Sequence, residues 1–274
     1  SIHATELLAI LKKFGECPRR LDDFGNDLTI SSGWHESGAK NDGTILEIPS
    51  NATVFPASPK EAIYNGPHIT IGSALCKTPD NPCTSHKTWG TIDLTYIPDD
   101  YLPRVKYLPN VDEHEYRVRA DKVTWDRDQY DQAGNLVQLG TPASDFYRIS
   151  LREMVGTDNE RTLTSGILLR FTSYINTVEA LVFHSVDVVP QIAGYFAALP
   201  VDFYVRQQNK GHLSPTLLRG IPLPNFGSYE SAIRTRALCL NCLTSYLPFG
   251  SATTPCAPTS NDVRLSWNST SWCR

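Results

Sequence analysis

Residues 146–153, 162–171 and 178–184 set down three strand-length apolar patterns in succession. Alternation of apolar and polar side chains gives a strand two unlike faces, and the apolar face is stable only when another element covers it. The chain then changes period. Within 191–224, Phe196, Leu199 and Phe203 recur at i, i+3 and i+7, one face of a helix. Residues 229–246 offer a last helix with Ile233, Leu240 and Leu243 on its apolar side. Strands followed by helices give an α+β class, a mixed or antiparallel sheet over residues 44–184 with helices segregated toward the C-terminus.

The remaining segments fill in around this frame. Thr5 caps a first helix whose Leu7, Leu8, Leu11 and Phe14 share a face, and Gly15 ends it. Residues 1–15 read as a connecting helix, with a packing helix of the same domain as the equal alternative, and 16–274 as the domain proper. Residues 15–60, rich in Gly, Asn, Ser and Pro, predict loops with one strand at 44–48. Gly66-Pro67 opens a strand over 68–72, and the alternation over 91–97 predicts a half-buried strand. Residues 125–144 read as a polar excursion loop. Pro200 falls inside the helix of 191–208 and predicts a kink, because an interior proline removes a hydrogen bond. Gly211 is the expected C-cap or turn residue. From about 250 the chain is Ser/Thr/Pro/Asn-rich, a tail expected to dock through Leu265, Trp267 and Trp272.

A chain of 274 residues, 41% hydrophobic and 20% charged, has enough length for a large core and no bias toward disorder. Its formal charge of −4 argues against a nonspecific nucleic-acid binder, which is normally basic, but leaves room for a local cationic patch. Seven irregularly spaced cysteines suggest reduced thiols and a cytoplasmic protein. No apolar run is long enough to span a membrane, and residues 5–14 are amphipathic, unlike a signal peptide. Ser1 and a single methionine, Met154, predict a chain cut or processed from something longer.

The candidate functional residues are cationic or amide side chains in the second half. Arg148 and Arg152 fall on one face of the 146–153 strand with Phe146 and Ser150, a row that can lie against phosphates. Asn159 and Arg161 sit in the following connection. They could read base edges, since arginine pairs bidentately with guanine and asparagine with adenine. The favoured reading there is an internal Glu160–Arg161 pair that pins the loop. Arg206, Lys210 and His212 cluster around Gly211 and suit phosphate contact. Arg104, Lys106, Arg117, Arg119 and Lys122 interleave with Asp112, Glu113, Glu115 and Asp121, a salt-bridged face. Lys77 reads equally as a phosphate contact or a solvated lysine.

Other constellations fail on spacing. Trp34-His35-Glu36 lacks the second histidine of a metalloprotease helix, so a structural role for Trp34 is expected. Cys76, Cys83 and His86 lack the paired spacing and fourth ligand of a zinc site and read as buried or loop thiols. Asp99, Asp100 and Glu115 could serve a magnesium nuclease, but Glu115-Tyr116-Arg117 carries arginine where the nuclease motif has lysine. Cys239-x-x-Cys242 has no surrounding βαβ pattern and reads as core.

Taken in order, Gly66-Pro67-His68, IDLTYIPDDYLPR (92–104), Tyr147-Arg148-Ile149, NERTL (159–163), FYVRQ (203–207), the polar loop 210–214, the short helix 215–220 and Ile221 to Pro224 form a series. This series resembles the target-recognition region of adenine-N6 DNA methyltransferases from restriction–modification and phage-defence systems, over roughly residues 34–272. The resemblance implies sequence-specific recognition of double-stranded DNA. It also implies a catalytic methyltransferase domain in the same parent protein, S-adenosylmethionine for that full-length protein, and no cofactor in this chain. The catalytic signature is missing here: no (Asn/Asp/Ser)-Pro-Pro-(Tyr/Phe) tetrapeptide takes a flipped adenine, and no glycine-rich strand-to-helix turn receives the methyl donor. The chain alone is therefore not expected to be an enzyme. The alternatives are an interaction or structural module packing on a methyltransferase core, and a degenerate magnesium nuclease.

Overall fold

The computed structural model describes residues 5–246 except 86, 157 and 158. In chain order the strands are β1 (Leu28–Ser31), β2 (Ile45–Glu47), β3 (Ile63–Tyr64), β4 (Lys77–Pro79), β5 (Trp89–Thr91), β6 (Tyr107–Pro109), β7 (Gln129–Tyr130), β8 (Leu136–Gln138), β9 (Arg148–Arg152), β10 (Ser165–Leu168), β11 (Ser173–Tyr174) and β12 (Val178–Phe183). The helices are α1 (Thr5–Glu16), α2 (Glu36–Asn41), α3 (Glu113–Arg119), α4 (Val188–Phe196), α5 (Leu199–Gln207), α6 (Pro215–Arg219) and α7 (Glu230–Asn241). The class is α+β. One four-stranded sheet, ordered β1-β12-β9-β10, is antiparallel throughout. The other, β11-β3-β6-β2, is mixed, with β11 parallel to β3. Four helices follow the strands, as the sequence predicts, while α1 to α3 come before or between them.

The first sheet is covered on both faces, so its central strand β12 is buried at every position. Leu181 and Phe183 enter a core shared with Ile192 and Phe196 of α4 and Ala237 of α7. Val178 and Ala180 point the other way and pack with Tyr64, Val105 and Tyr174 of the second layer. The three strands read from the sequence are all present, but none leaves a bare face. Each fully buried Val, Leu, Ile or Phe adds about 1.5–3 kcal/mol of burial, which is why the three-layer stack outcompetes a half-exposed sheet. Phe14 of α1 reaches the same core and packs on Tyr204 at 5.2 Å, so α1 is a packing helix of the fold.

Several local expectations are corrected. Over 68–72 no strand forms: Pro67 opens a 3-10 turn, Gly66–His68, and His68 is tied by Nε2 to the Arg104 carbonyl at 2.8 Å. Over 91–97 the strand stops at Thr91, because Asp93 accepts hydrogen bonds from the Thr95 amide and hydroxyl and starts another 3-10 turn, Leu94–Tyr96. The polar stretch 125–144 contains the β7–β8 hairpin, its turn held by Asp131, which accepts from the amides of Ala133 and Asn135. The kink expected at Pro200 is a full break: the helix stops at Phe196 and restarts at Leu199, with Pro200 in the first turn of α5, where its missing N–H costs no bond, and α4 meets α5 at 67°. Helix α3 starts where Asp112 accepts from the Glu115 amide. The tail and its tryptophans lie outside the described residues.

Two consequences can be measured. Gly194 of α4 faces α7 so closely that a Cβ there would stand 2.6 Å from Ile233 Cγ2 and 2.9 Å from its carbonyl oxygen. Gly194→Ala is expected to destabilise by about 1–3 kcal/mol in urea unfolding. His68 is fully buried, and desolvation, opposed by its backbone hydrogen bonds, lowers its pKa from 6.5 to about 4. The unfolded chain takes up that proton near 6.5 while the folded chain does not. Stability from this residue is therefore full above pH 6.5 and is lost as pH falls toward 4, by about 3 kcal/mol in total. Urea midpoints for the parent chain and His68→Gln across that window are expected to converge as pH falls.

Candidate nucleic-acid interface

Arg152 ends β9, and the residues after it pair with the loop that carries Lys210 and His212. Beyond Arg152 the chain continues as Glu153, Met154 and Val155, which run antiparallel to the loop that follows α5. The Leu213 amide donates to the Glu153 carbonyl at 2.9 Å, the Val155 amide donates to the Gly211 carbonyl at 3.0 Å, and Met154 and His212 form a β-bridge. These contacts fix Lys210 and His212 beside the end of the sheet. His212 Nδ1 lies 2.6 Å from Glu153 Oε1. Helix α5 is closed by Asn209, at φ 48°, and not by the expected Gly211; asparagine tolerates this left-handed conformation better than most residues. Arg152 and Lys210 are exposed, and neither forms an ion pair among the described residues. Arg152 rises next to Gly66, where a Cβ would lie 3.6 Å from its Cγ.

Beneath this surface sits Glu179, nearly buried, with one carboxyl oxygen accepting from the Ser32 hydroxyl at 2.8 Å and the other unpartnered. Burial first, then the nearby Glu153 and Asp121 charges, raise its pKa above the usual carboxylate range, against the Ser32 hydrogen bond.

The other predicted contact residues are occupied elsewhere. Arg148 is 1% exposed: its Nη2 donates to the carbonyls of Leu169 and Thr172 and to the Thr172 hydroxyl, so it is not on the outer surface where a duplex would lie. The strand-face reading failed at this position because the second sheet covers that face. Arg161 donates to the Ala197 carbonyl and lies 3.4 Å from Asp202, which corrects the expected Glu160 partner. Arg206 donates to the carbonyls of Asn159 and Glu160 and to the Thr162 hydroxyl. It therefore holds the 159–162 connection, on which the Asn159 side chain stays exposed. The expected salt-bridged face is present in part: Arg117 pairs with Asp145 through two 2.8 Å bonds, Arg119 with Glu115, and Lys106 lies 3.9 Å from Glu47. Glu115 lies in the first turn of α3, not on a strand, so the acid-x-basic arrangement of a nuclease is not built.

Asp202 organises this region, and sequence reading missed it. It is buried on α5, and its Oδ1 accepts from the amides of Thr162 at 2.8 Å and Leu163 at 2.6 Å while Arg161 and Arg206 approach its carboxylate. An aspartate in a helix carries no pattern that marks it as buried; only its place opposite two arginines 41 and four residues away decides that.

The chain matches no protein-family model and no curated protein sequence. Among the described residues, no group of three or more His, Cys, Asp or Glu is placed to hold a metal ion.

Asp202→Ala would strand two buried amides and leave Arg161 without its counterion. A loss of about 3–5 kcal/mol is expected in equilibrium unfolding, against a smaller loss for Asp202→Asn, which keeps the acceptor.

Proposed function

We propose that this chain is the DNA target-recognition region of an adenine-N6 DNA methyltransferase of a restriction–modification or phage-defence system. The observation that carries the reading is that Arg152 and Lys210, at the two ends of the Met154–His212 ladder that continues β9, are both exposed and form no ion pair among the described residues. Free cations on a rigid sheet end suit phosphate contact, while Asn159, exposed on a connection fixed by Arg206, is available to a base edge. Arg148, Arg161 and Arg206 act through the fold by positioning those segments. On this reading the catalytic domain, elsewhere in the parent protein, binds S-adenosylmethionine and flips the adenine in the cytoplasm, and the present chain holds the duplex. No single helix among the described residues is long and apolar enough to cross a membrane.

A second reading, an interaction module, is favoured by the β7–β8 hairpin, whose Tyr130 and Val137 are 61% and 69% exposed. A salt series with a random duplex pool separates the two. The recognition reading expects retained DNA enriched in a short motif, with affinity falling steeply as salt rises. Arg152→Glu and Lys210→Glu should each weaken binding to all sequences and reduce the salt slope by about one per lost phosphate contact. Retention unchanged by both substitutions would count against the site. No retention by the chain or by its parent protein would favour the interaction module.

A further inference from the structure

At the opposite end of β9 the chain makes a sharp corner, Leu169-Arg170-Phe171-Thr172, as it leaves β10 for β11. Phe171 sits at φ 68°, a conformation that glycine adopts freely and a bulky side chain resists. It is one of two non-glycine residues with positive φ among the described residues. The surroundings impose it. Arg148, from below, donates to the carbonyls of both Leu169 and Thr172, the Thr172 hydroxyl donates back to Leu169, and the Phe171 amide donates to the Ser144 carbonyl at 2.6 Å. Core burial does not account for a phenylalanine here, because it is 38% exposed. Its ring instead carries the Arg170 guanidinium, 5.1 Å from the ring centre, and Arg170 is itself exposed and steadied by the Asp145 carbonyl at 2.7 Å.

The charge around the corner is cationic in its free groups. Asp145 is paired with the bidentate Arg117, and Arg170 is exposed and forms no ion pair among the described residues. A phenylalanine held at a positive φ by a built network, with its ring largely outside the core, points to a role for the side chain beyond the turn. An aromatic ring with a guanidinium beside it, raised on a rigid corner, matches the chemistry of a nucleobase face next to a phosphate.

We infer that the Arg170–Phe171 corner is a second nucleic-acid contact, at which Phe171 wedges into a base step of bound duplex DNA and stacks on the base it unstacks, while Arg170 meets the neighbouring phosphate. This rests on the DNA reading proposed above.

The test uses the full chain and short duplex DNA carrying 2-aminopurine at scanned positions, alongside thermal melts. Phe171→Gly removes the ring and relieves the backbone. It is expected to melt no lower than the parent chain, to bind duplex roughly tenfold more weakly, and to abolish the fluorescence rise at an unstacked base. Phe171→Tyr keeps a ring and is expected to bind like the parent. Arg170→Gln should reduce the salt slope by about one. Unchanged affinity and fluorescence in Phe171→Gly, with Lys210→Glu still weakened, would overturn this contact and leave the DNA reading standing. If Phe171→Gly proves unstable, loss of binding by a well-folded Phe171→Tyr overturns it instead. Failure of both the unsubstituted chain and its full-length parent protein to bind duplex overturns both.

Discussion

A buried guanidinium holds the two sheets of this protein together. Arg148 lies in the middle layer with no ion pair among the described residues, and desolvation pulls its pKa below the usual arginine range. A charge taken out of water must find acceptors or be lost, and Arg148 finds them in the carbonyls of Leu169 and Thr172 and in the face of Tyr174, 5.3 Å away. Those acceptors belong to the corner where the chain passes from β10 in one sheet to β11 in the other. The requirement to satisfy one cation therefore fixes the crossing on which the layered stack depends. Tyr174 extends the network outward, its hydroxyl donating to Ser31, which in turn donates to Asp121.

Asp202 is the acidic counterpart at the other end of the sheet. It ties α5 to the connection between β9 and β10, so the helix and loop that present Lys210 are referenced to the same strands as Arg152. The result is a division among cations that look alike in sequence. Arg148, Arg161 and Arg206 are bound to carbonyls and a carboxylate and set geometry. Arg152, Lys210 and Arg170 stand outside, where a ligand can meet them.

Much of the fold was legible. The strands at 148–152, 165–168 and 178–183, the helices α1 and α7, and β2 sit in segments whose periodicity marks them, whereas the single helix expected over 191–208 is two, α4 and α5, with Leu199 exposed. What was missed is short or locally controlled. β1 has four residues and follows a loop whose 3-10 turns have no periodic pattern, so it becomes a strand only by pairing with β12. The strand expected over 91–97 gave way to one side chain, Asp93, that satisfied the backbone locally. In the candidate site, the exposure of Lys210 and Arg152 was legible because a loop and a strand end leave long charged side chains in water. Arg148 was misjudged because alternation names a face without naming what covers it.

The sequence by itself determined the class, the main periodic elements and the stock of cations available to a ligand, because period and local hydrogen-bonding chemistry act over a few residues. Tertiary structure alone decided which of those cations are free. Burial and pairing depend on partners far along the chain, such as Thr172 for Arg148 and Asp202 for Arg161, and on a second sheet laid over a face that the strand pattern leaves open.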